Sequence, residues 1–82
     1  MSQTEKLLFR ILRGTSDANV GFDDLCKLLA EFGFELRVRG SHHMFSKTGV
    51  AELINLQRDS ANAKPYQVKQ VRNVIVKYKL MG

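Results

Sequence analysis

Two adjacent histidines, His42 and His43, follow Gly40-Ser41 and precede Met44-Phe45. Histidine takes and gives protons near neutral pH. Cutting an RNA chain through its own 2′-hydroxyl needs both acts, one proton leaving the nucleophile and one reaching the departing 5′-oxygen. The residue type therefore suits phosphodiester cleavage without a metal. Successive strand residues point to opposite faces, so consecutive histidines do not form one cluster. With no Cys or acidic residue beside them, they also lack the makings of a converging metal site. Phe45 shares the side of His43 and is the expected core anchor. That turns His42, with Met44 and Ser46, toward the open side. His42 is the first candidate for chemistry and His43 the second. Spacing alone fits better the plainer reading, in which both are polar members of a turn and a short strand.

Cations surround this segment in sequence. Arg37 and Arg39 alternate with Leu36 and Val38 just before Gly40, and Lys47 ends the stretch that follows. With Ser41 they are candidates to grip phosphates flanking a bond held near a histidine. Arginines on exposed strands also serve simply to keep edges unpaired. Ala63-Lys64-Pro65-Tyr66 adds a cation and an aromatic ring at a helix start, where free N–H groups suit a phosphate. Tyr66 either stacks on a base or covers the core. Gln67, Lys69, Gln70 and Arg72 form a polar helix face that binds RNA or stays in water.

The charge distribution fits a polyanion partner for the second half, and equally a solvated basic face with no ligand. Residues 1–36 hold four bases against six acids, net −2, whereas residues 37–82 hold nine bases against two acids, net +7. At 82 residues, 44% hydrophobic and 26% charged, the chain is expected to fold as one domain, burying roughly 60% of its unfolded surface. A compact core and a shallow site follow. No apolar run reaches the roughly 20 residues of a membrane span, and no secretory signal is visible, so a cytoplasmic protein is expected. The lone Cys26 sits in a Leu-rich helical pattern and reads as a small core residue, not a nucleophile.

These residues need elements to position them. Leu7, Leu8, Ile11 and Leu12 share one face of a helix over Glu5 to Arg13, stopped by Gly14. Thr15 to Asn19 is turn chemistry. Phe22, Leu25, Leu28, Leu29 and Phe32 give a second helix, opened by Asp23 and Asp24 and ended by Gly33. From Phe34 the period becomes two, with Phe34, Leu36 and Val38 predicted as the buried face of a strand. Gly40-Ser41 turns into a strand from His42 to Lys47. Lys47-Thr48-Gly49 turns into a third from Ala51 to Gln57. Pro65 suits the first position of a last helix with Val68, Val71 and Ile75 inward. The pattern predicts an α+β fold in the order α-α-β-β-β-α, a three-stranded antiparallel sheet with helices on one face.

A leucine-rich helix ending in Gly33-Phe34, an alternating strand, Gly40-Ser41-His42-His43-Met44-Phe45, and Ala63-Lys64-Pro65 leading into a basic helix: this order resembles the HicA-type toxins. The likeness spans roughly residues 22–80, with residues 1–21 an added N-terminal helix and linker. It implies a fold like a double-stranded-RNA-binding domain and metal-independent cleavage of mRNA that arrests translation, with no cofactor. It also implies neutralisation by a HicB-like antitoxin, in some cases within a larger toxin–antitoxin complex. The catalytic histidine of the Gly-Ser-His segment falls on His42, and His43 stays in play because some members place it one residue later. RNA contacts are then expected from Arg37, Arg39, Ser41, Lys47, Lys64 and Lys69. The rival expectation is a non-catalytic RNA-binding or protein-interaction domain.

Overall fold

Apolar spacing sets the helices. In the computed structural model, which describes residues 3–80, α1 (Gln3–Arg13) buries Leu8 and Ile11. A 3-10 turn at Asp17–Asn19 leads to α2 (Phe22–Glu31), which buries Phe22, Leu25, Leu28 and Leu29. Asp23 and Asp24 occupy its first turn, where carboxylates offset the positive helix end. Strands β1 (Glu35–Arg39), β2 (His42–Lys47) and β3 (Val50–Gln57) follow, then α3 (Pro65–Lys77). The α+β class, the element order and the antiparallel sheet β1-β2-β3 are those predicted from the sequence.

The β1–β2 pairing runs without a break from Glu35↔Ser46 to Arg39↔His42. Gly40, at φ 60°, is the first of two turn residues. Positive φ at that position suits a tight hairpin and disfavours any side chain. The register irregularity lies at the other end of β2, between Phe45 and Lys47, so it leaves the facing of the histidines intact.

Phe45, Ile54 and Leu56 point toward the helices and are fully buried with α2 and with Val68, Val71 and Ile75 of α3. The predicted buried face of β1 is a correction. Phe34, just before the strand, is buried, but Leu36 is 46% and Val38 56% exposed. The reason is placement of the helices: α3 lies against β3, and α2 sets Phe22 over His43 on β2, so neither reaches across β1.

Two members of the expected polar face of α3 also have other work. Gln67 is 1% exposed. Its Oε1 accepts the Lys64 N–H at 3.0 Å, and its Nε2 donates to the Gln57 carbonyl at 3.1 Å. A single amide thus caps the start of α3 and ties it to the end of β3. Arg72 is half-buried, paired with Asp17 at 2.8 Å and donating to the Ile11 carbonyl at 3.3 Å. It fastens α1 and its linker to α3. Backbone bonds from Phe22 N to Ala61 O (2.9 Å) and Ala63 N to Val20 O (2.8 Å) join the lead-in of α2 to that of α3.

Candidate functional site

Strand alternation delivers one composite surface. On the open face, Arg39, His42 and Gln57 stand side by side across the three strands, and Arg37, Met44 and Asn55 form the adjacent row. Of these six side chains five are exposed and Met44 is half-buried. His42 Nδ1 lies 3.3 Å from Asn55 Oδ1. An amide oxygen can only accept, so the proton of a neutral ring belongs on Nδ1, and Nε2 keeps a lone pair for solvent or substrate. Ser41 is fixed beside this row, its carbonyl accepting the Arg58 N–H at 2.9 Å and its hydroxyl accepting from Gln57 Nε2 at 3.4 Å.

His43 faces the other way. Its ring meets Phe22 edge-on, with centroids 5.0 Å apart and planes at 78°. The Arg58 guanidinium lies over the same Phe22 ring at 4.6 Å and pairs with Asp23. This stack closes the end of the core where β2, β3 and the first turn of α2 meet. Neither histidine ring is placed to share a ligand with the other. Among the described residues, no three His, Cys, Asp or Glu side chains gather as a metal site. Cys26 packs against the core, and burial pushes its thiol up to about 11, keeping it protonated and unreactive at neutral pH.

The expected cations separate into three places. Arg37 and Arg39 share the open face with His42. Lys64 stands at the start of α3, on the end of the molecule that Gln67 ties to Gln57, and its ammonium is 2.8 Å from Asp59. That carboxylate raises Lys64, and Lys64 in turn lowers Asp59. Both partners are exposed, so water screens the pair and it opens at little cost. Lys47 ends β2 at its far end from His42, roughly 16 Å along the strand, with its ammonium close to Gly33. Lys69 sits with Tyr66 and Glu52 in an open groove between β3 and α3, on the helix side. Tyr66 is 63% exposed and covers no core.

A family model described as the HicA toxin of bacterial toxin–antitoxin systems matches residues 22–77. The chain belongs to the HicA toxin family. The match starts at the first residue of α2 and ends at the last of α3, so α1 lies outside the HicA segment although it contributes Leu8 and Ile11 to the same core. No curated protein and no solved structure gives a significant match to this HicA chain. No helix among its described residues is long and apolar enough to cross a membrane.

Asn55 and Arg58 were not singled out from sequence. Asn55 had a signal: it lies in the alternating Ala51–Gln57 stretch on the side opposite Ile54 and Leu56. Arg58 had none, because its role depends on Phe22 arriving beneath it from 36 residues away.

Proposed function

We propose that this HicA-family toxin is a cytoplasmic, metal-independent endoribonuclease that cuts mRNA and is silenced by a HicB-like antitoxin. The observation that carries the reading is His42 on an open, cation-flanked face, with Nδ1 held by Asn55 and Arg39 directly across the strand pair. Nε2 takes the proton from a ribose 2′-hydroxyl as its oxygen attacks phosphorus, or in the protonated ring gives one to the 5′-oxygen that leaves. The products are a 2′,3′-cyclic phosphate and a free 5′-hydroxyl. Arg39, and Arg37 one row on, offset the charge that grows on the phosphoryl oxygens, where donors fixed beforehand count most. Ser41 places its hydroxyl beside the same bond. Lys64, at the start of the helix that Gln67 ties to Gln57, holds RNA beyond it, whereas Lys47 and Lys69 contact only other stretches of a longer strand.

The test is cleavage of single-stranded RNA by the purified protein in EDTA. Cleavage is expected to persist and to vanish on adding a HicB-like partner. Binding that weakens steeply with salt but never cuts RNA would replace this reading with that of a non-catalytic RNA-binding domain.

A further inference from the structure

The sheet order leaves β1 as an edge strand, and its helix-side face carries the exposed Leu36 and Val38. An edge of this kind offers unpaired backbone groups to another strand. We infer that β1 pairs antiparallel with β1 of a second copy, centred on Arg37, joining two sheets into one of six strands. The inference does not depend on whether the protein cuts RNA.

The sequence Glu35-Leu36-Arg37-Val38-Arg39 is nearly self-complementary in this register. A two-fold axis perpendicular to the sheet keeps both helix layers on one side, so each residue must meet one of the same face. Centring on Arg37 sets Glu35 opposite Arg39 twice on the open face and Leu36 opposite Val38 twice on the helix side. Opposite-charge and aliphatic pairs at these positions are favourable. Arg37 meets its own copy, the single adverse contact. Centring on Val38 instead opposes Arg37 with Arg39 twice. Centring on Leu36 opposes Glu35 with Arg37 twice but leaves Arg39 opposite Gly33, beyond the strand, and in that register Arg37→Ser would weaken the dimer. The Arg37 register alone uses the whole strand. No helix covers β1, so nothing on the helix side blocks the approach, and four aliphatic side chains fill the valley between the two helix layers. Both His42 rows stay on the open face.

Five paired residues fall short of the ~1,000 Å² of a standing interface, so the dimer is concentration-dependent. The experiment is sedimentation of the full chain carrying His42→Ala, which spares the expressing cells and leaves β1 untouched, from about 10 μM to about 1 mM. Glu35→Arg and Arg39→Glu are each expected to weaken dimerisation about tenfold, and the double variant to restore it, because the Glu–Arg pairs re-form in reverse. Arg37→Ser is expected to tighten it. Circular dichroism confirms that each variant is folded. A monomer throughout the concentration range overturns the inference, as does a dimer indifferent to the charge reversals, or a folded double variant that stays monomeric.

Discussion

The two faces of β2 differ more than one residue of sequence separation suggests. His42 looks onto an open surface where its neighbours across the strands are Arg39 and Gln57 and its ring is held by one amide. His43 looks onto Phe22, Arg58 and the first turn of α2. The same side chain is therefore open to solvent on one face, where the proposed function gives it the chemistry, and a packing group on the other. The pleat of the strand assigns the roles, and Phe45 decides which way the pleat falls by taking the core position two residues on.

The largest expected effect breaks the pair apart. His42→Ala should lower RNA cleavage by roughly 10²- to 10⁴-fold, the range typical of a lost acid–base group, with the thermal midpoint unchanged. His43→Ala should do the reverse, keeping cleavage while losing about 0.5–1.5 kcal/mol of stability with its ring contact. Equal toxicity and RNA loss in His42→Ala and wild type would remove His42 from the mechanism.

Next in size is the ring beneath His43. Phe22 is fully buried and meets both His43 and Arg58. Phe22→Ala should cost about 3–5 kcal/mol in urea denaturation, because the rigid surroundings cannot close over the space. A cost below about 1 kcal/mol would mean that the covered end of the sheet collapses freely and does not brace the strand carrying His42.

Gln67 joins the covered face to the open one. Through the Gln57 carbonyl it holds the strand end whose side chain stands next to His42. Gln67→Ala removes two hydrogen bonds from a buried amide and should cost about 1–3 kcal/mol. Gln67→Met, which fills the same space and loses both bonds, separates the hydrogen bonds from the packing of the side chain. Stability of the Met variant equal to wild type would show that the two bonds contribute nothing.

Element types were legible because periodicity is local. Leu25, Leu28 and Leu29 announce a helix without reference to anything else, and Phe45 announces the inward face of its strand. What sequence could not supply were facts set by distant partners. Leu36 and Val38 alternate as a buried face should, yet burial depends on where α2 and α3 come to rest. Gln67 and Arg72 read as solvated because polarity is visible in a sequence, whereas Gln57 O and Asp17 are brought to them only by the fold. The second hairpin shows the limit most clearly. Counting back from the Lys47↔Val50 pair sets Asn55 opposite His42, but the irregularity after Phe45 moves the register by two and puts Gln57 there. The shift is even, so both residues keep the open face. His42 was therefore legible as a candidate, while the arrangement that braces it was not.

The smallest effect concerns the far end of the covered face and separates the pH dependence of stability from that of cleavage. The Tyr78 hydroxyl donates to Glu52 while accepting the Ala51 N–H at 3.2 Å, and Lys77 reaches the same carboxylate at 3.1 Å. The Tyr78 hydrogen bond first, and Lys77 after it, hold the Glu52 carboxyl below its ordinary range, and Glu52 raises Lys77. A lowered carboxyl stabilises the fold fully above its unfolded pKa, and that contribution is lost as pH falls through the folded value. A raised ammonium contributes fully below its unfolded pKa and loses that contribution as pH rises through the folded one. The clasp therefore acts across the neutral window and fades in acid and in strong alkali. Glu52→Gln should lower the thermal midpoint slightly at neutral pH and converge with wild type in acid, where the native carboxyl is itself protonated. The same small difference should appear in a His42→Ala background, since the clasp touches nothing on the open face. A gap between Glu52→Gln and wild type that is as wide in acid as at neutral pH would show that the carboxylate charge is not what joins α3 to β3.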